Sequence, residues 1–274
     1  MFTFPAPVRD CQNDYDTACR VRRKSSKSAL RNLRPHVLER YLGYNQFAHN
    51  PTVLEFTKDD AKILRDNYEL TYDGGSLFSL REQLFEGATG GLCGMCGAAQ
   101  AGTLDHYLPR EMYPELSILA PNLIPACDMC NRKKSTIVGD NDSGRFAHPY
   151  IDDLSDLDGI VVCEFELVEE MLIPRFSINE HLPDDVRRVA YFHFDKLDLA
   201  GRYGASAAVE ILENSGLYRE YYEIGGAQAV SSEASRKVKS LLRKFSAIYW
   251  KVALYQGIER SELFCNGGFE RISA

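Results

Sequence analysis

Four cysteines fall in two close pairs, Cys93-x-x-Cys96 and Cys127-x-x-Cys130, with a long insert between them. Two thiolates on a turn present adjacent corners of a tetrahedron, and a second pair from elsewhere completes the shell of a Zn2+ ion. A shell closed by four cysteines leaves no place for water or substrate, so the spacing predicts one structural zinc per chain. Gly87, Gly90, Gly91, Gly94, Gly97 and Gly102 crowd around the first pair, as backbone turning sharply about an ion requires. Other groups that could do chemistry stand beside or between the pairs. Leu104-Asp105-His106-Tyr107 sets an acid next to a histidine on a short strand. Asn122 follows in Pro121-Asn122-Leu123-Ile124-Pro125, and Asn131 and Lys134 close the segment in Cys130-Asn131-Arg132-Lys133-Lys134.

In that order, the set resembles the HNH endonuclease family, whose motif reads approximately C-x2-C, D-H, N-L, C-x2-C-N/H-x2-K. The similarity runs from Cys93 to Lys134. It implies a ββα-metal core, a β-hairpin and loop followed by a helix entered near the second cysteine pair. Carried over position by position, His106 is the general base that activates water for attack on phosphorus. Asp105 and Asn131 hold one divalent ion against the scissile phosphate. Asn122 braces the loop and orients His106, while Arg132, Lys133 and Lys134 contact phosphate from the helix. An imidazole with pKa near about 6.5 suits proton transfer at neutral pH, and a cation is needed where the leaving oxygen gains charge.

Asn131 stands where the family often has histidine. The donor set is then all oxygen, which predicts Mg2+ or Mn2+ rather than Zn2+ or Ni2+ at the catalytic position. His148 follows closely enough to supply an imidazole, or is simply a turn histidine before Pro149. Consecutive side chains on a strand point to opposite faces, so a twist or bulge is expected at Asp105-His106.

Residues 90 to 152, with Tyr113-Pro114-Glu115-Leu116-Ser117 and His148-Pro149-Tyr150, are similar in phrasing to bacterial HNH nucleases of anti-phage defence, the Septu and retron-associated kind. That resemblance implies a defence endonuclease acting on nucleic acid, DNA before RNA, beside an ATPase subunit. The reading from another class is a zinc-stabilised nucleic-acid-binding or scaffolding subunit without catalysis.

The elements that must position these groups are mostly helical. We expect an α+β fold, a mainly helical chain around a central zinc-stapled ββα-metal core with a small β-hairpin after it. The expected divisions are an N-terminal helical region at 1–86, the nuclease core at 87–150 and a C-terminal hairpin and helical region at 151–274. Residues 1 to about 17 read as a poorly ordered lead-in or a draped strand. Ser28 to Tyr44 carries a helical face, with Pro35 either an awkward interior residue or a helix start. Thr57 caps a helix to about Tyr68, and a short helix from Ser76 ends at Gly87. Ile160–Val168 and Met171–Ile178 alternate as a hairpin. Helices are then predicted from Pro183 to about Leu197, from Ala200 to Tyr222, and from Ser231 to about Gln256, the last with an apolar stripe through Val238, Leu242, Phe245, Tyr249 and Val252.

With 274 residues, 45% hydrophobic and 26% charged, the chain has ordinary globular composition. It holds no apolar run near the roughly 18 residues of a membrane span and no secretory start, so a cytoplasmic protein without a membrane partner is expected. Cys11, Cys19, Cys163 and Cys265 read as ordinary small residues. A net charge of −7 argues against a globally basic binder of nucleic acid. Two acid-free stretches, Arg20 to Arg34 and Arg236 to Lys251, are either local patches for a polyanion or two solvated helix faces.

Overall fold

A computed structural model describes residues 3–154, 157 and 159–272; Ser155 and Asp156, at the end of the acidic run that begins at Asp152, lie outside the described residues. The fold is α+β and mainly helical, with two small antiparallel strand pairs, as the sequence predicts. Backbone packing divides the chain into two compact units. One comprises Phe4–Met95 and Ala99–Asp152, the other Met1–Thr3, Cys96–Ala98 and Asp153–Ala274. Among the described residues no helix is long and apolar enough to cross a membrane.

In the first unit, helix α1 (Cys11–Val21) occupies much of the expected lead-in. The Asp10 carboxylate accepts the Asn13 N–H at 2.9 Å and caps it, and Tyr15, Ala18 and Cys19 bury one face, a short pattern that the polar flanks obscure. Helix α2 (Lys24–Leu42) runs through Pro35 instead of starting there. Leu30 and Val37, on either side of the proline, are both buried in a cluster with Tyr15, Leu64, Leu77 and Ile118, and that packing offsets the missing N–H bond. A short helix α3 (Tyr44–Phe47) follows. Helix α4 (Lys58–Asp66) opens on Thr57, whose Oγ1 accepts the Asp60 N–H at 3.1 Å, and passes into a 3-10 turn, Asn67–Thr71, that carries Tyr68. Helix α5 (Phe78–Glu86) ends at Gly87.

These helices surround a ββα element. Strand β1 (Thr103–His106) pairs antiparallel with β2 (Leu123–Ala126), and helix α6 (Asp128–Lys134) follows directly from Cys127. A second buried cluster, with Tyr68, Leu80 and Leu84 from the helical segments and Leu104, Ala120 and Leu123 from the strands and their loop, ties the two together.

In the second unit, β3 (Val161–Val168) and β4 (Met171–Ile178) form the predicted hairpin, Val168 opposite Met171. Glu169 and Glu170 turn the chain with positive φ at both positions, the primed geometry that matches strand twist. Helix α7 (Asp184–Lys196) follows Pro183 as expected. The next two predicted helices are partitioned differently. Helix α8 (Leu199–Glu213) stops at Asn214, whose Nδ2 donates to Glu210 O at 2.7 Å. Helix α9 (Ser215–Leu241) kinks at Gly225–Gly226, and α10 (Trp250–Arg260) starts afresh, with α11 (Glu262–Cys265) behind it. The single stripe fails because Ile248, Tyr249 and Trp250 are buried consecutively, which one helix face cannot do, while Leu242 is 46% exposed.

Candidate functional site

The four paired cysteines converge: their sulfur atoms all lie within 4.8 Å of one another, and all four residues are buried. No disulfide joins any of the chain's cysteines, all of which are described. Around the first pair, Cys93 N donates to Ala99 O at 2.8 Å and Gly94 N to Pro125 O at 2.8 Å. A Cβ on Gly94 would meet Phe4 at 2.8 Å and Ile124 at 3.0 Å, so this knuckle requires glycine for close approach. Four thiolates at these separations are the donor set of a closed tetrahedral metal site, and zinc fits it.

Beside this cluster, a cleft of about 460 Å³ brings together Asp105, His106, Asn131 and Arg132 with Tyr68 and Arg110. The β1–β2 ladder runs through four regular pairs, Asp105 opposite Ile124 and His106 opposite Leu123, so of the twist or bulge expected at the acid-histidine step there is no bulge. Both residues nonetheless line the cleft.

Asp105 is almost fully buried, and burial pushes its carboxyl up to about 6 against the pull of the Lys134 ammonium. Its Oδ2 is 3.5 Å from Lys134 Nζ and has no hydrogen-bond partner. That oxygen is turned inward to the Lys134 ammonium, and Asp105 and Asn131 both line the cleft, where a carboxylate and an amide are oxygen donors of the kind a hard cation takes.

His106 lies with its ring 4.6 Å from that of Tyr68, edge to face. Its Nε2 is 3.0 Å from Ser117 O. A carbonyl only accepts, so Nε2 carries the proton and Nδ1 is the nitrogen with the lone pair. Burial lowers the imidazole to about 3, with the nearby Arg110 and Lys134 charges acting the same way. The expectation of an ordinary imidazole near neutrality is therefore corrected: Tyr68 and the loop desolvate the ring, and it is neutral over the physiological range.

Asn122 is fully buried and uses its whole hydrogen-bonding capacity. Oδ1 accepts from Leu108 N at 2.9 Å and from Tyr44 Oη at 2.8 Å, while Nδ2 donates to Leu108 O at 3.0 Å and Leu116 O at 3.3 Å. Lys134 is fully buried and donates to His106 O at 2.6 Å. That location corrects the expected phosphate contact, because an ammonium held under the strand cannot reach a substrate in the cleft. Arg132 and Lys133 on the same helix are exposed. Both ring nitrogens of His148 are taken up inside the protein: Nδ1 accepts the Tyr150 N–H at 3.2 Å, and Nε2 faces Tyr44 Oη at 3.1 Å.

Several residues here are given no role by the motif. Tyr44, Tyr68 and Ser117 reach the site from distant or irregular segments. Glu115, within the same loop, is buried with both carboxyl oxygens lacking hydrogen-bond partners; burial pushes it up to about 7, and Arg40 Nε is 3.9 Å away. The basic stretches are partly spent internally: Arg34 pairs with Asp16, Arg236 with Glu233 and Lys251 with Glu210, whereas Arg23, Lys24 and Arg31 are exposed.

No family model matches the chain, and no solved structure matches it. It is similar to Protein ea31 of Escherichia phage lambda, with 30% identity over 194 residues, 66% of this chain and 65% of that protein. The matched region thus spans just under two-thirds of the relative's length.

Proposed function

We propose that the chain is a metal-dependent endonuclease of the HNH type that hydrolyses phosphodiester bonds of nucleic acid, DNA first, at the Asp105–His106–Asn131 cleft. The observation that carries this reading is the commitment of His106 Nε2–H to Ser117 O at 3.0 Å, which leaves Nδ1 free of a proton and able to take one from water. Asp105 and Asn131 would hold the divalent ion, Mg2+ or Mn2+. When bound, such an ion supplies positive charge where the leaving oxygen becomes negative. Arg132 and Arg110, both on the cleft wall, would bind the phosphate. Asn122 fixes the loop that fixes His106, and the four cysteines, loaded with zinc, staple the ββα element. The physiological role we attach to this chemistry is that of an anti-phage defence effector beside an ATPase partner.

One observation favours the second reading, a zinc-stabilised nucleic-acid-binding or scaffolding subunit. An imidazole lowered to about 3 by burial is a weak base. The two readings separate in one experiment. Zinc-loaded protein is incubated with supercoiled plasmid in Mg2+ or Mn2+, alongside Asp105→Asn, and binding is followed in parallel by gel shift. The nuclease reading expects cutting by the native chain and binding without cutting by the variant. Binding without cutting by both would establish the scaffold.

A further inference from the structure

We propose that His148 and Tyr44 are positioning residues, which act through Asn122 to hold the loop that holds His106. The proposal rests on the nuclease reading above and names residues that neither the sequence motif nor the cleft includes.

The hydrogen bonds form a chain with one polarity. His148 Nδ1 accepts the Tyr150 N–H at 3.2 Å, so the ring proton must sit on Nε2. That Nε2–H donates to Tyr44 Oη at 3.1 Å. The Tyr44 hydroxyl proton then goes to Asn122 Oδ1 at 2.8 Å. Asn122 Oδ1 also accepts from Leu108 N, so its Nδ2 is the end that donates to Leu108 O and Leu116 O. One peptide beyond the Leu116 carbonyl, Ser117 O receives the His106 Nε2 proton. Reversing any link would set buried donor against buried donor.

His148 is itself immobilised. Its backbone N–H donates to Asp152 Oδ2 at 2.6 Å, Asp152 also binds Arg145 and His49, and the Tyr107 ring lies 4.1 Å from the imidazole. Tyr44 and His148 are buried at 2% and 0% exposure, so the chain is screened from water. A buried network of this kind, fully satisfied, specifies one loop geometry; partly satisfied, it permits several. Small misplacements of a general base are expensive in rate.

The test uses the full zinc-loaded chain. Tyr44→Phe deletes only the hydroxyl. His148→Leu deletes the donor to it, and His148→Gln keeps an amide donor near the same place. Plasmid-cleavage kcat and KM in Mn2+ are measured per folded molecule, with zinc content, and the 15N shifts of the His106 ring report its tautomer. We expect Tyr44→Phe and His148→Leu to lower kcat by roughly ten- to a hundredfold with KM within about twofold, and His148→Gln to stay near the native rate. In the first two variants the His106 signal should lose its single Nε2–H form. Unchanged kcat in Tyr44→Phe would overturn the proposal while leaving the nuclease reading intact. If the native chain does not cut at all, that reading fails, and a His106 tautomer preserved in Tyr44→Phe overturns the positioning role as well.

Discussion

Lys134 Nζ donates to the backbone carbonyl of His106 at 2.6 Å and stands 3.5 Å from Asp105 Oδ2, with Lys134 fully buried. The last residue of α6 thus grips the end of β1 at both positions of the acid-histidine pair. The charge that the motif assigns to a phosphate is spent inside the protein.

Replacing Lys134 by Met keeps the length of the side chain and removes the cation. Asp105 would be left as a buried carboxylate without a counterion, a change that destabilises by about 3–5 kcal/mol. Urea denaturation of zinc-loaded protein measures it. A loss below about 1 kcal/mol, the range of exposed pairs, would mean that the contact does not hold the strand to the helix.

Glu115 gives stability a pH dependence of known sign. Burial raises its folded pKa from 4.5 to about 7. A raised folded value contributes stability that is complete below about 4.5 and lost as pH climbs to about 7. The loss approaches roughly 3 kcal/mol, at 1.36 kcal/mol per pKa unit. Glu115→Gln should therefore match the native chain most closely at pH 4 and exceed it at pH 8. Parallel denaturation midpoints at the two values would refute the assignment.

Cys127→Ser should release zinc and unfold the ββα element, because a structural zinc site contributes folding energy directly. Metal analysis is expected to give one zinc per native chain and none in the variant, with loss of near-ultraviolet dichroism. Well-folded native protein that contains no zinc would undo the staple.

Asp105→Asn separates the proposed catalytic ion from the zinc. Zinc content should stay at the native level, since the cysteines are untouched, while Mn2+ binding followed by electron paramagnetic resonance disappears. Mn2+ bound equally by both proteins would place the second ion elsewhere.

Local features of the sequence carry through to the structure. The cysteine pairs, the Thr57 cap, the Val168–Met171 turn and the short helix after Cys127 each depend on residues within a few positions of one another. What the sequence conceals depends on depth and distance. Lys134 reads as a phosphate ligand because a sequence shows charge and not burial. His106 reads as an ordinary imidazole because Tyr68, which desolvates it, comes from a 3-10 turn far upstream. Tyr44 and Asn122 are 78 residues apart, beyond any periodic pattern. The break between Leu241 and Trp250 is hidden because an apolar stripe on paper does not say which of its members a second surface will claim.

Cleavage of supercoiled plasmid by zinc-loaded native protein and by His106→Ala, in Mn2+ and at equal folded fraction, tests the central claim most directly. We predict that the native chain nicks or linearises the plasmid and that the variant is slower by about 10²–10⁴-fold, the usual worth of a general base. Equal rates in the two proteins, or an intact plasmid in both, would contradict it.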